Sequence, residues 1–323
     1  MIDFTGQVVI VTGAGRGIGR LFALDFASRG AAVVVNDLGG RTGGGGDDCS
    51  VAEAVAEEIR KAGGRAVASA DSVASPEGGA AIVAAALERF GRLDAVVSNA
   101  GIVNYMPFEH MTRALWEQML AVHLHGAFNV AQPAYRVMKE QGYGRFVFMS
   151  SSSGMLGQEH QSHYAAAKAG VFGLKNIIAL ERAHFGIKAN CVLPWATTRM
   201  MTEGLADSPE ILEMPLVKLM KPHLVPPLVT WLASRDCAVS HENFSAGAGG
   251  YSRIFVGTGP GYFTGADSHP TAEEVGAHFD AVMATEPFEV HGSAAEESAS
   301  LCSRNGVDFI RPDARSLRRL SKT

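Results

Sequence analysis

The stretch Val8-Val9-Ile10-Val11-Thr12-Gly13-Ala14-Gly15-Arg16-Gly17-Ile18-Gly19 decides the reading of this chain. Val8 to Val11 is an apolar, β-branched run without polar alternation, the pattern of a strand covered on both faces. Ile18 to Arg29 carries apolar residues at helical spacing, and Gly30 supplies a stop. The glycines between strand and helix permit a tight turn and close backbone approach to a ligand. The helix N-terminus behind them presents unpaired N–H groups to a phosphate. A second strand, Val33 to Val35, ends at Asn36-Asp37, about 20 residues on, where the dinucleotide fingerprint requires an acid. Gly13, Arg16, Gly17, Ile18 and Gly19 are therefore expected to cradle a diphosphate, and Asp37 to accept hydrogen bonds from the adenosine ribose. A 2′-phosphate would meet a like charge at Asp37, so NAD is expected over NADP, with Arg16 and Arg41 as the cations that oppose this reading.

Outward from this unit, short β-branched runs keep alternating with helical patterns. Helices are expected over Val51 to Lys61, from Ser75-Pro76 to about Phe90, over Thr112 to Lys139 and over Tyr164 to Phe185. Strands are expected at Ala66 to Ala70, Leu93 to Val97, Arg145 to Met149, Lys188 to Leu193 and Phe244 to Gly247. The order predicts an α/β fold: a Rossmann-type, doubly wound parallel sheet. Gly39 to Gly46 reads as a mobile loop beside the first crossover. The alternation stops near residue 255, so 1–255 is expected to be the dinucleotide-binding domain and 256–323 a C-terminal extension. That extension holds one helix candidate, Thr271 to Ala284, and a basic tail with Arg315, Arg318 and Arg319.

A hydrophobic content of 47% against 19% charged residues supports a sizeable core and argues against disorder. The net charge of −5 disfavours nucleic acid or an anionic membrane as partner. Cys49, Cys191, Cys237 and Cys302 form no CxxC pair, so no metal site is expected, and free thiols fit a cytoplasmic location. Neither a secretory signal nor a membrane-spanning apolar run is apparent.

Three further features share one family signature: Thr12-Gly13-x-x-x-Gly17-x-Gly19, Asn99-Ala100-Gly101 after the fourth strand, and Tyr164-x-x-x-Lys168. Together they resemble the short-chain dehydrogenase/reductase family over about residues 5 to 255. Within it, Val35 to Gly40, Val122-His123-Leu124, Tyr143 to Arg145, Tyr164 to Lys168 and Pro194 through Met200 resemble the 3-hydroxyacyl-CoA dehydrogenase units of multifunctional enzymes. The resemblance implies an oxidoreductase interconverting a secondary alcohol and a ketone, as a homodimer or homotetramer, with a 3-hydroxyacyl-CoA or a hydroxysteroid-like substrate. A ketoacyl-carrier or small-ketone reductase is the alternative. A non-catalytic dinucleotide-binding protein is a third reading, and it predicts damage to a catalytic set that here is intact.

Tyr164 and Lys168 project from one helical face, and a nearby ammonium is expected to lower the phenol's pKa so that it can act as base. Lys168 should also hold the nicotinamide ribose. Four serines, Ser150 to Ser153, end the fifth strand, and the family spacing selects Ser151 as the donor to the substrate oxygen. His123 stands where most members carry an asparagine that supports a proton-relay water, and a space-filling core histidine is the competing reading. Asp71 and Ser72 are expected on the adenine side. Asn99, Ala100 and Gly101 are expected beside the nicotinamide, with Pro194 and Thr198 near its carboxamide. Met200 to Met220 reads as a substrate lid. His160, His163, His241 and His291 are expected to be solvated.

Overall fold

The computed structural model describes residues 1–181, 185–204 and 209–310. The first half runs β1 (Val8–Thr12), α1 (Gly17–Ser28), β2 (Ala32–Asn36), α2 (Ser50–Lys61), β3 (Arg65–Ser69), α3 (Pro76–Phe90) and β4 (Ala95–Ser98). There follow α4 (Arg113–Leu120), α5 (Gly126–Gln141), β5 (Gly144–Met149), α6 (Ser152–Leu156), α7 (Ser162–Glu181) and β6 (Ile187–Trp195). Short helices α8 (Arg199–Gly204), α9 (Pro209–Leu212) and α10 (Pro215–Leu219) precede α11 (Pro226–Ala233) and strands β7 (Asn243–Gly247) and β8 (Gly250–Ile254). The helix starts follow local chemistry: Ser75 accepts a hydrogen bond from Gly78 N at 3.1 Å with Pro76 at the first helical position, a cap legible in the sequence.

The strands form one sheet in the order β3-β2-β1-β4-β5-β6-β7-β8. All neighbours are parallel except β7 and β8. Alternate side chains of the strands feed two cores. Val9 and Val11 pack with Phe22 and Phe26 of α1, Ile59 of α2 and Leu232 of α11. Val8 and Ile10 pack with Ile82 of α3, Met138 of α5 and Val171 of α7. Burial of each such side chain contributes roughly 1.5–3 kcal/mol. This is the doubly wound α/β sheet expected from the alternation. Because β1 pairs with β2 on one side and β4 on the other, the connections reverse direction there. The crevice over those strand ends is where such sheets bind ligands.

Four differences from the sequence reading are instructive. The stretch Thr112 to Lys139 is not one regular helix: Ala121–His125 forms a π-helical turn between α4 and α5, and His123 sits in it. Such turns change which side chain faces a site without ending the helix. Strand β8 was not expected. It is joined to β7 by Ala248 and Gly249, whose φ values of 50° and 81° are those of a two-residue hairpin turn. The glycine insert after β2 is folded back, not free: Arg41 and Gly45, Leu38 and Asp48, and Thr42 and Val103 are joined by backbone hydrogen bonds. A second compact unit begins at Phe255. In it the expected helix Thr271 to Ala284 breaks at His278 into α12 (Ala272–Ala277) and α13 (Phe279–Val282), and a further helix, α14 (Ala294–Arg304), starts on a Ser293 cap. The arginines at 315, 318 and 319 lie outside the described residues. Among those described, no helix is long and apolar enough to cross a membrane.

Candidate active site

The glycine loop after β1 is shaped by contacts that exclude a side chain. A Cβ on Gly19 would lie 2.0 Å from the Gly13 carbonyl oxygen, and one on Gly13 would lie 2.8 Å from Ala100 Cα. Asn99 braces this turn: its Nδ2 donates to Thr12 O at 3.0 Å and Gly13 O at 3.2 Å. Thr12 Oγ1 in turn accepts from the backbone N–H groups of Asn99 (2.9 Å) and Ala100 (3.0 Å). The Asn99 amide is thus engaged by the loop.

At the end of β2, Asp37 accepts from Gly15 N at 2.9 Å with one carboxylate oxygen and from Gly39 N at 2.7 Å with the other. The guanidinium of Arg16 is turned to Gly40 O at 3.4 Å. Beside them a cavity of about 400 Å³ is lined by Leu38, Asp47, Asp48, Cys49 and Ala70. Asp71 is exposed and accepts from Ser69 Oγ at 2.9 Å, while Ser72 Oγ accepts from Ala74 N at 3.2 Å. Opposite, β6 continues through Pro194 and Trp195, which pairs with Gly247. Thr198 Cγ2 would be 3.7 Å from a Cβ on Gly17. Thr197 fastens the end of the segment that follows β6, with its N–H on Met220 O at 2.7 Å and its hydroxyl on Val217 O at 2.8 Å. A glycine cradle, an acid at the β2 end and a cavity beyond it fit an adenine dinucleotide.

The end of β5 resolves the serine run. Ser150 is buried and donates to Lys168 O at 3.0 Å. Ser151 caps α6, accepting from Ser153 N at 3.1 Å, and its hydroxyl faces Tyr164. Lys168 is buried, donates from Nζ to Met149 O at 2.7 Å, and lies 5.6 Å from the Tyr164 ring centroid. Here one expectation is corrected. Burial raises the Tyr164 phenol above its usual range, with the Ser151 hydroxyl pulling down and Tyr105 pushing up. The lysine does not supply the expected lowering, because its ammonium is turned to the Met149 carbonyl and burial brings its own pKa down to about 8. Burial shifts each group toward its neutral form.

His123 is buried edge-on to Tyr164, ring centroids 5.1 Å apart. Its Nε2 lies 2.8 Å from Ile102 O and 3.1 Å from Ile102 N. A Cβ on Gly101 would be 2.5 Å from His123 Cε1, so glycine in Asn99-Ala100-Gly101 makes room for the imidazole. Burial, and then the Lys168 charge, hold His123 well below the usual histidine value. His163, expected to be solvated, is fully buried, and its Nε2 bonds Asn104 Oδ1. Asn104 on His163, and Tyr105, which acts on Tyr164 and bonds Gln161, were not foreseen. The available signal was the polar run Gln161-Ser162-His163 at the start of a helix that must pack against the sheet.

Fold and site together define a dinucleotide-dependent oxidoreductase. Residues 7–209 match the short chain dehydrogenase family, and the chain belongs to it: an enzyme class that acts on CH–OH groups with a nicotinamide cofactor. Over 275 residues it is 42% identical to a Mycobacterium tuberculosis protein named as a short-chain type dehydrogenase/reductase, covering 84% of this chain and 92% of that one. Over 253 residues it is 44% identical to mouse peroxisomal multifunctional enzyme type 2, covering 78% of this chain but 33% of the enzyme, so it spans about a third of that relative's length. The full-length structure of peroxisomal multifunctional enzyme type 2 from Drosophila melanogaster matches with a TM-score of 0.77 at 33% identity, over 94% of this chain and 50% of that one.

Proposed function

We propose that the chain is an NAD-dependent dehydrogenase of 3-hydroxyacyl-CoA or hydroxysteroid-like alcohols. The observation that carries the cofactor choice is Asp37, whose carboxylate closes the β2 end between Gly15 and Gly39 while the Arg16 guanidinium is engaged by Gly40. A ribose hydroxyl can donate to that carboxylate, and a 2′-phosphate would be repelled. Gly13, Arg16, Gly17, Ile18, Gly19, Asp37, Asn99 through Gly101, Pro194 and Thr198 would hold the dinucleotide, with Asp71 and Ser72 beyond the adenine. A nicotinamide bound there supplies the hydride acceptor for the alcohol carbon, or the donor for the ketone. Ser151 holds the substrate oxygen, Tyr164 takes or returns its proton, and Lys168 and His123 orient the tyrosine from the buried side. The substrate class rests on the likeness to the multifunctional enzymes and on His123 at the tyrosine ring.

Initial rates with NAD and NADP against (R)-3-hydroxyacyl-CoA esters, a hydroxysteroid panel and small alcohols test this. Turnover of an acyl-CoA or steroid with NAD preferred by about tenfold or more is expected from one repelled charge. Preference for NADP refutes the Asp37 argument. Turnover only of carrier-bound ketoacyl groups or small ketones replaces the substrate class.

A further inference from the structure

Six buried side-chain polar atoms have no hydrogen-bond partner among the described residues, and five of them belong to His123, Asn104, Gln161, Ser162 and His163. Unpartnered buried polar atoms cost free energy comparable to a lost hydrogen bond each, and folded proteins resolve such groupings with ordered water. These five belong to the start of the Tyr164 helix or to segments that touch it, and His163 is near enough to His123 to act on its charge. Gln161, Ser162 and His163 precede Tyr164 in the chain, and His123 meets its ring edge-on. Asn104 is tied to His163 through Oδ1 and Nε2. Beside that bond, Met106 N donates to His160 O at 2.8 Å, so the loop after β4 is fastened to the start of α7 twice.

The chemistry of the five atoms is complementary. A ring nitrogen facing a carbonyl oxygen must donate, so His163 Nε2 carries the proton and Nδ1 is left as an acceptor. Asn104 Nδ2 is a pair of donors, Gln161 Oε1 is an acceptor, and Ser162 Oγ serves as either. Direct pairing cannot satisfy Asn104 and His163 together, because each has used the group that reaches the other. The two ring nitrogens point away from each other, so water donating to His163 Nδ1 and water accepting from Asn104 Nδ2 satisfy the two groups from opposite sides of their shared bond. Burial pushes both imidazoles below the usual histidine range, so they stand there as neutral dipoles. The charged and titratable groups facing this space are Lys168, Tyr105 and Tyr164.

We propose that Asn104 and His163, with His123 opposite, hold an ordered-water site on the buried side of Tyr164, and that His163 is a positioning residue for that tyrosine's proton transfer. The kinetic part rests on the reading of Tyr164 as acid and base given above; the water site does not. The first arm of the test is a crystal structure of the whole chain at a resolution that shows ordered water. Density is expected within hydrogen-bond distance of His163 Nδ1 and, separately, of Asn104 Nδ2, and dry surroundings at both overturn the proposal even if no alcohol is turned over. The second arm compares His163→Phe with His163→Gln on whichever substrate is active. His163→Phe should lower kcat about tenfold with both KM values within about twofold, and should move the limb of the pH profile that reports Tyr164. His163→Gln, which keeps a donor for Asn104 and an acceptor, should restore most of kcat and the limb. Wild-type kcat with an unmoved limb in His163→Phe overturns the positioning role. So does a loss of kcat and both KM values together that His163→Gln does not rescue, since that is damage to the fold.

Discussion

Replacing Gly19 by alanine should both destabilise the protein and weaken dinucleotide binding, and the structure sets the scale. The new Cβ would lie 2.0 Å from Gly13 O and 2.6 Å from Asn99 Nδ2. Ordinary carbon–oxygen contacts begin at about 3.3 Å, so the loop must open by more than about 1 Å. Neither neighbour yields easily, for one is backbone and the other is the amide that holds Thr12 O and Gly13 O. Overpacking of this kind costs about 1–3 kcal/mol. Weakening the two Asn99 bonds adds about 0.5–1.5 kcal/mol each, and alanine's better helix propensity returns about 1 kcal/mol. The net is roughly 3 kcal/mol, which for a domain of this size lowers the melting temperature by roughly 6–12 °C. Thermal unfolding with and without dinucleotide, and its Kd by titration, measure the effect. Gly173→Ala in α7 is the control: nothing lies within 4 Å of its Cβ position, so only helix propensity acts. A Gly19→Ala protein that melts within about 1 °C of the parent and binds dinucleotide equally well would refute the argument that this turn is set by backbone contact.

Ser151→Ala should reduce kcat by about 10²-fold, as for loss of one donor to a developing oxyanion, while Ser150→Ala should leave kcat near the parent value and cost about 1 kcal/mol of stability through the lost Lys168 O contact, so steady-state rates and melting curves on the pair discriminate them. Lys175, fully buried with Nζ on His241 O at 2.7 Å, has its pKa brought down to about 8 by burial. Between pH 8 and the ordinary lysine value near 10.5, the unfolded chain binds more protons there than the folded one, so this lysine's contribution to stability rises with pH in that window. Cys191 and the buried tyrosines oppose it from about pH 9 upward; the tyrosines cancel in a difference, and without Lys175 the thiol moves higher still, which acts in the same direction as the lysine. The melting-temperature gap between Lys175→Met and the parent should therefore change in the parent's favour from pH 8 to 10, and a gap constant with pH would refute the burial argument.

Much of the fold was legible because a parallel α/β sheet writes itself locally. Buried strands such as Val8 to Val11 are apolar on both sides, and caps such as Ser75-Pro76 mark their helices. What the pattern misses is set by the partner of a segment rather than by its own composition. Strand β8 is an exposed edge strand, Gly-Tyr-Ser-Arg-Ile, without an apolar face to declare it. The π turn at His123 costs no change in periodicity that a sequence shows. At the site, the motif residues Gly13, Asp37, Ser151, Tyr164 and Lys168 converge because each stands at a strand end or on the helix beside one. The partners of those residues were harder to read. That Asn99 braces the loop, that Lys168 turns to Met149, and that His163 is sealed against Asn104 all depend on contacts between segments far apart in the chain.

The two hydrogen bonds accepted by Asp37 bear on how this enzyme could change its cofactor. A redesign that admits a 2′-phosphate removes the carboxylate, and here the carboxylate is also the clasp that joins the phosphate turn at Gly15 to the glycine insert at Gly39. On the proposed NAD reading, specificity and architecture share one side chain. A switch of cofactor in this scaffold therefore has to travel as a linked set of changes, with a new donor–acceptor bridge between the two glycines arriving before or with the loss of the acid. Single substitutions at Asp37 would leave a looser turn that serves neither dinucleotide well.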